Sequence, residues 1–250
     1  MRIENKNALF STVPVILLAA FAVSCDGEAG FSPPDEVAAG IYTGTIEEIS
    51  IGGPAGSDLI GIIGENNEVH LFAPANPVHL VGRIDVSQTK LDGALTAYAG
   101  ETGRFFGADE LAKILLDGHM TGTVGASGVY SGPGVAGQFS LDYDPVYETA
   151  VSLDMAAGVW SFGQAGYTVT FDIDNTGQLF GTDTNGCVFV GQIEVTRNGY
   201  NAFQVTLAIS NCDAVNGDYG GLAFLGGGAP FGTLFLSVAN DNYAYAAVFQ

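Results

Sequence analysis

The sequence has few basic residues and few charges of either sign. It contains 7 Lys and Arg against 27 Asp and Glu, and charged residues make up only 14% of its 250 residues. The formal net charge of −20 excludes the basic surface that nucleic-acid binding requires. Low charge together with 47% hydrophobic residues also excludes an intrinsically disordered chain. The protein is therefore expected to fold around hydrophobic cores and to bind no nucleic acid.

The apolar run near the N-terminus is too short to cross a bilayer as a stable helix. Val13–Val23 is apolar for 11 residues, follows the basic Arg2 and Lys6, and is followed by Ser24 and Cys25. A basic start, a short apolar stretch and small residues before a cleavage point are typical of a secretory signal. Residues 1–24 are therefore predicted to be a signal peptide. A membrane-embedded anchor, or an ordinary signal in which the cysteine has no role, are the alternatives.

The end of this segment, Ala22-Val23-Ser24-Cys25, resembles the lipobox of bacterial lipoproteins. In that family a peptidase cuts before the cysteine, whose sulfur carries a diacylglycerol. The resemblance implies lipidation of Cys25 and attachment to a membrane of the bacterial cell envelope, inner or outer. Residues 25–39, which include Pro33-Pro34, are then expected to form a tether between the lipid and the folded domain.

The rest of the chain contains an internal duplication. Three pairs of segments recur in the same order: Ala38–Tyr42 with Ala156–Trp160, Val81–Val86 with Val190–Val195, and Gly128–Gly132 with Gly217–Gly221. At the offset of the second pair, 109 residues, Ile60 and Ile62 fall on Val169 and Phe171, and Glu65-Asn66 falls on Asp174-Asn175. The chain is therefore divided into a first repeat over residues 40–155 and a second over residues 156–250.

The sequence pattern of both repeats predicts successive short strands. Tyr167–Ile173 alternates between apolar and polar residues, Asp174–Gly177 has the composition of a turn, and Gln178–Thr182 returns. About eight such runs occur in each repeat. Consecutive hairpins without long crossovers indicate an up-and-down sheet that closes on itself. The predicted fold is therefore all-β, with two tandem antiparallel β-barrels of about eight strands each. One larger sheet built from both repeats is the competing arrangement.

One helix is predicted within the first repeat. The offset between matching segments falls from 109 to 89, so the first repeat holds about 20 additional residues between Val86 and Gly128. Asp109–Asp117 lies in this stretch, with a capping aspartate, apolar residues at helical spacing and Gly118 as a stop. We expect this helix to cover an apolar edge, or to act as a lid.

The start of the second repeat resembles that of the lipocalins and avidins. Gly158-Val-Trp160 matches their Gly-x-Trp motif, and Gly40-Ile-Tyr42 is the equivalent in the first repeat. The tryptophan of those families packs at the floor of the barrel. Because small barrels are filled by side chains or hold one small ligand, Tyr42, Trp160 and Phe171 are predicted to line a site for a small apolar ligand.

Two cysteines remain once Cys25 is assigned to the lipid. Cys187 and Cys212 lie almost symmetrically about Asn198-Gly199, the expected turn of a hairpin. In the oxidising environment of an exported protein we expect them to form a disulfide within the second repeat. A redox-active or metal-binding pair is the alternative, although the spacing is not Cys-x-x-Cys.

No set of residues predicts catalysis. His70, His79 and His119 lack the spacing of metal ligands, and His70 is expected in a strand as a solvated or hydrogen-bonded side chain. Asp172–Gly177, with Asp183 further on, partly matches a calcium-binding loop, but Asp-Asn-Thr-Gly suits a hairpin turn better. The chain also lacks a phosphate-binding loop and a nucleophile elbow. We therefore predict no enzymatic activity, no cofactor and no metal site.

The predicted function is that of a lipid-anchored, non-enzymatic binding or scaffolding module of the cell envelope. Its expected partners are the membrane, through the lipid, and a small apolar ligand or another envelope protein. Two alternatives stay open. Tyr243–Phe249 alternates aromatic and small residues, as the last strand of an outer-membrane β-barrel does. An exported hydrolase or isomerase built on a barrel scaffold is the other.

Overall fold

A computed structural model describes residues 38–48, 56–75, 78–99, 111–227 and 230–250. The predicted signal peptide, Cys25 and most of the tether lie outside these residues. Within the described ranges, no helix has the length and apolar character that crossing a membrane would require.

The described residues form sixteen strands and very little helix. The strands of the first repeat are Gly40–Glu48 (β1), Ser57–Ile63 (β2), Glu68–Ala73 (β3), Val78–Ser87 (β4), Lys90–Ala99 (β5), Leu111–Thr121 (β6), Gly125–Gly132 (β7) and Val135–Asp144 (β8). Those of the second are Gly158–Gln164 (β9), Tyr167–Ile173 (β10), Gln178–Asp183 (β11), Val188–Val195 (β12), Phe203–Ser210 (β13), Gly217–Gly226 (β14), Thr233–Ala239 (β15) and Ala244–Phe249 (β16). A connection with a 3₁₀ turn, Pro145–Glu148, and a one-turn helix, Leu153–Ala156 (α1), joins the repeats.

Each repeat forms its own up-and-down antiparallel sheet. In the first barrel every strand pairs with its neighbours in sequence, and β1 pairs with β8 to close it. The second sheet follows the order β9 to β16, and Ser161 and Gln250 exchange two backbone hydrogen bonds of 2.9 Å between its two ends. The prediction of an all-β fold with two tandem eight-stranded barrels is confirmed.

The interiors of both barrels are filled with apolar side chains. Inward-facing residues alternate with polar outward-facing ones along most strands, as a half-buried strand requires. In the second barrel the Phe171 ring lies 5.3 Å from that of Phe189 and 4.8 Å from that of Phe249. Phe189 in turn lies 6.2 Å from Tyr245. These rings pack against one another across the barrel core.

The helix predicted over Asp109–Asp117 is wrong. Its described part, from Leu111, is the first portion of strand β6, and the only α-helical turn of the described chain is α1 in the connection between the repeats. Ala112, Ile114 and Leu116 face inward or are half-buried, whereas Leu111 and Leu115 are exposed on the outer face. Apolar residues on both faces of a strand produced the helical spacing that misled the prediction.

The duplication is present, but two of the sequence matches need correction. The turn after β2 corresponds to the turn after β10, and both place a residue with positive φ before the returning strand, Asn67 at 60° and Gly177 at 82°. The structural offset here is therefore 110 residues, not 109. Phe171 corresponds to Gly61, and Ile62 corresponds to Asp172. Because strands alternate, this shift by one residue moves Ile62 from the interior to the outer face.

The third sequence match joins strands that do not correspond. Gly128–Gly132 lies in β7, the seventh strand of the first barrel, whereas Gly217–Gly221 lies in β14, the sixth strand of the second. The match therefore reflects shared Gly-x-Tyr composition rather than position. The excess of about 20 residues derived from it is not a measure of an inserted element.

Several strands are buried on both faces, which the expected alternation did not predict. In β15, Leu234–Val238 are all buried, and in β16 Ala244–Ala247 are all buried. Strands covered on both sides read as continuous apolar runs. Their outer faces pack against the outer face of β2, β3 and β4. The barrels therefore lie side by side, joined by an apolar contact that includes Ile62, Leu222 and Phe235.

The predicted Cys187–Cys212 disulfide is confirmed, with Cα atoms 4.7 Å apart. Each cysteine lies just outside the β12–β13 pairing, which begins with Val188 opposite Ser210. Compared with the pairing expected for an ideal two-residue turn at Asn198-Gly199, the observed pairing of β12 with β13 is shifted by one residue. This difference brings the two cysteines next to each other.

Replacing both cysteines by serine should lower the free energy of unfolding by about 3 kcal/mol, because the bond closes a loop of 25 residues. Urea denaturation followed by Trp160 fluorescence measures the effect on the second barrel. The oxidised wild type and the wild type under reducing conditions are the controls. The reduced wild type should match the double variant, and an unchanged denaturation midpoint in both would contradict the expectation.

Candidate functional site between the two barrels

The three residues predicted to line a ligand site lie in the two cores. Tyr42 and Phe171 are fully buried, and Trp160 is nearly so. The Tyr42 hydroxyl donates to the Ala38 carbonyl at 2.9 Å, and the Trp160 indole N–H donates to the Ala156 carbonyl at 2.8 Å. The repeated Ala-Ala-Gly-x-aromatic segment thus forms the same bond in both barrels. Binding of a ligand beside these residues stays a prediction.

The partial calcium loop forms a hairpin turn. One carboxylate oxygen of Asp174 accepts hydrogen bonds from the backbone N–H of Thr176 at 2.8 Å and of Gln178 at 3.0 Å, and from the Thr176 hydroxyl at 2.6 Å. These bonds lower the pKa of Asp174, led by the bond from the Thr176 side chain. Asp183 pairs with Val169 at the opposite end of the β10–β11 ladder. The carboxylates therefore do not converge, and the hairpin alternative is confirmed.

Asp183 instead lies beside the disulfide. Its carboxylate and the sulfur atoms of Cys187 and Cys212 lie within 4.8 Å of one another, which is close enough for metal ligation. One carboxylate oxygen already accepts the backbone N–H groups of Asn185 and Cys187, both at 2.9 Å. Because the two sulfur atoms are bonded to each other, neither is available as the thiolate that a metal would bind.

The most distinctive polar site lies between the barrels and consists of Glu68, His70, His79 and Ser237, which we call the histidine cluster; Glu68, at its edge, is partly exposed. His70 and His79 come from adjacent strands of the first barrel, β3 and β4, and Ser237 comes from β15 of the second. Both histidines and the serine have an exposed fraction of 0%. The sequence predicted a hydrogen-bonded or solvated His70, and the structure shows the hydrogen-bonded form.

The four side chains form a continuous hydrogen-bonded chain. His70 Nε2 lies 3.0 Å from Glu68 Oε1, and His70 Nδ1 lies 2.7 Å from Ser237 Oγ. Ser237 Oγ lies 2.5 Å from His79 Nε2. Buried polar groups are costly unless they are hydrogen-bonded, so this chain offsets the cost of placing two imidazoles between two barrels.

One arrangement of protons satisfies every link while both histidines are neutral. His79 Nε2–H donates to Ser237, the Ser237 hydroxyl donates to His70 Nδ1, and His70 Nε2–H donates to the Glu68 carboxylate. The hydrogen bond from His70 lowers the pKa of Glu68, which favours its ionised form. Burial lowers the pKa of His79 well below its ordinary value, and the neighbouring His70 contributes in the same direction.

Apolar and polar contacts extend this interface around the cluster. The Tyr98 hydroxyl donates to the Asn240 carbonyl at 2.7 Å across the barrels. Next to the interface, within the second barrel, Asn201 is fully buried, and its side-chain amide donates to the Leu225 carbonyl at 2.6 Å while its oxygen accepts the Leu225 N–H at 2.9 Å. Its backbone N–H also donates to the Tyr147 carbonyl at 2.8 Å, which fixes the connection between the repeats. The interface is therefore closely packed and specifically hydrogen-bonded.

Sequence reasoning did not find this site because its members belong to different repeats. Ser237 lies 167 residues from His70 and 158 from His79. The one available signal was a pattern: His70 and His79 both stand within strands at positions where alternation predicts the outer face, yet apolar residues surround them.

Comparison with protein families, with curated proteins and with solved structures finds no match to this chain.

The histidine cluster makes stability depend on pH in two ranges. Because the folded-state pKa of His79 is lowered, the unfolded chain takes up a proton near pH 6.5 that the folded protein does not. The free energy of unfolding should then fall by up to about 1.4 kcal/mol per pH unit as the pH drops below 6.5. Glu68 has a lowered pKa too, so its contribution is present above about pH 4.5 and is lost below it.

Urea denaturation between pH 5 and 7 measures the first effect. The variant His79→Asn keeps a donor for Ser237 but has no ionisable ring, so the dependence on pH in this range should become shallower. His119→Asn, which removes an exposed histidine on β6, is the matched control and should retain the wild-type slope. Equal slopes in the wild type and in His79→Asn would contradict the assignment.

Proposed function

We propose that this protein is a lipid-anchored, non-enzymatic binding or scaffolding module of the bacterial cell envelope. The observation that supports it best is the close packing of the molecule: aromatic rings occupy the core of the second barrel, and the two barrels bury a hydrogen-bonded interface between them. Such a body presents a rigid outer surface. The lipobox-like Ala22–Cys25 supplies the proposed attachment to a membrane.

Packing favours the scaffolding form of the proposal over the carrier form. Tyr42, Trp160 and Phe171 contact other core side chains, and each of the first two also binds a nearby carbonyl. A small ligand would have to displace these contacts. The alternation of both barrels also supports the proposal over an outer-membrane barrel, because apolar residues face inward here and would face the lipid there.

One observation favours a hydrolase as the second candidate. Glu68, His70 and Ser237 form a carboxylate–imidazole–hydroxyl chain with distances of 3.0 and 2.7 Å, the same order of groups as in an acyl-transfer triad, but with Nδ1 rather than Nε2 facing the hydroxyl. The burial of all of Ser237 argues against this candidate, because a nucleophile must reach its substrate. The hydroxyl is also hydrogen-bonded to a second imidazole, that of His79.

The anchoring part of the proposal is tested by replacing Cys25 with serine in a bacterial host that processes lipoproteins. We expect wild-type protein in the membrane fraction with an acylated N-terminal cysteine, detected by mass spectrometry, and no acylated protein for the variant. Ser24→Ala is the control, because alanine also suits the position before a lipobox cysteine, and it should leave the acylation in place. A wild-type chain with an unmodified Cys25 thiol would contradict the proposal.

The same purified protein separates the two candidate functions. Release of nitrophenol from short-chain nitrophenyl esters should stay at the buffer rate for the wild type and for Ser237→Ala. An activity that the wild type shows and Ser237→Ala loses would favour the hydrolase.

A further inference from the structure

The large apolar side chains exposed on the described residues are not spread evenly. In the first barrel they lie on β6, β7 and the turn between them, and in the second they lie on α1, β9, β11 and β12. They are Leu111, Leu115, Val124 and Val129, and Met155, Val159, Phe180 and Val190. Most of them thus lie on neighbouring strands of each barrel. Scattered exposed apolar residues need no explanation, but their concentration on neighbouring strands does.

The contact between the barrels is not symmetric. The first barrel contributes the outer face of its second, third and fourth strands, with Ile62, His70 and Val81 in one row across the sheet. The second barrel contributes its sixth, seventh and eighth strands, with Leu222, Ser237 and Ala246 in one row. The two faces are different parts of the repeated fold. The interface is therefore heterologous, the kind that can continue from one molecule to the next.

Each barrel also has a face equivalent to the one that the other barrel uses in this contact, and these two equivalent faces are not covered within the chain. In the second barrel the row that corresponds to Ile62–His70–Val81 is Asp172–Phe180–Val190. Its central residue, Phe180, is 56% exposed. An open groove of about 550 Å³ lies on this face, and Asp172, Phe180 and Val190 are among the residues that line it.

The first barrel holds the complementary free face. Val81 and Val190 are equivalent residues of the fourth strands of the two barrels. When the strand pairing of each barrel is followed from these residues through the fifth strand, the row Asp117–Val129–Gln138 of the first barrel corresponds to the row Leu222–Ser237–Ala246 of the second. Its central residue, Val129, is 49% exposed. In the contact within one chain, His70 meets Ser237 at the centre. The corresponding pair on the free faces is Phe180 and Val129, two apolar side chains.

We propose that a second copy of this chain docks on the free face of the second barrel, with Phe180 of one copy against Val129 of the next. The arrangement repeats the contact that the two barrels already make within one chain and replaces its central hydrogen bonds by an apolar contact. This inference does not depend on the proposed function, because it concerns only the outer faces of the two barrels.

Charge makes this association weak at low ionic strength. Asp172 and Asp117 occupy the positions of Ile62 and Leu222, which belong to the same apolar cluster between the barrels. The two carboxylates would therefore approach each other between copies, and both copies carry a formal net charge of −20. At 0.1 M salt, repulsion between exposed charges is largely screened beyond about 10 Å, and this distance becomes shorter as the salt concentration rises. Association should therefore increase with salt, the opposite of an interface held together by ion pairs.

Cross-linking with a short bismaleimide tests the pairing in the full-length chain, purified in detergent. Every protein carries Cys25→Ser so that the introduced cysteine is the only free thiol, because the other two are joined in the disulfide. One batch carries F180C, a second V129C and a third V124C, a position on the turn between β6 and β7 that is more exposed than Val129, so that accessibility alone would favour the control. Each is treated alone and in equimolar mixtures, at low and at high salt.

A covalent dimer should form several-fold more efficiently in the mixture of F180C and V129C than in either alone, or in the mixture of F180C and V124C. High salt should increase the yield, and the further change Asp172→Asn should increase it at low salt. Equal yields in all mixtures, or a dimer of F180C with itself in excess of the F180C–V129C product, would overturn the proposal. Because no step requires export or acylation, failure of the proposed anchoring would leave this result unaffected.

Discussion

The arrangement of the two barrels depends on the hydrogen bonds that the Ser237 hydroxyl forms with His70 and His79. Its partners come from the other barrel and lie 2.7 and 2.5 Å away. Removing water from two imidazoles and a hydroxyl is unfavourable unless each finds a partner. The hydrogen-bonded chain to Glu68 supplies those partners. An apolar contact alone would allow the barrels to slide, whereas this chain fixes their register.

That constraint also explains the unusual composition of the strands around it. Apart from Ser237, the large outward-facing residues of β14, β15 and β16 are apolar because the first barrel covers them, and the same holds for Ile62 on β2. The equivalent strands of the other repeat face solvent and carry polar residues: Asp172 stands at the position of Ile62, and Asp117 stands on the strand equivalent to β14. The two repeats have thus diverged mainly on their outer faces. The interiors, where Tyr42 and Trp160 make the same bond to a carbonyl, have kept the common pattern.

Local signals in the sequence predicted local structure well. The Asp174 turn, the hairpins and the Cys187–Cys212 bond follow from residues close together on the same ladder, so their chemistry is visible in the sequence. The helix over Asp109–Asp117 failed because Leu111 and Leu115 are apolar yet exposed, which mimics a helical period. The histidine cluster could not be predicted, because nothing in one repeat specifies which face of the other covers it.

The dependence of each barrel on the other is tested by whether the two barrels unfold as one unit. Trp160 is the only tryptophan and lies in the second barrel, whereas far-ultraviolet circular dichroism detects the strands of both. In urea denaturation of the full chain at neutral pH, we expect the two signals to change at the same midpoint and with the same slope. A fluorescence transition that is complete while about half of the dichroism signal persists would contradict it.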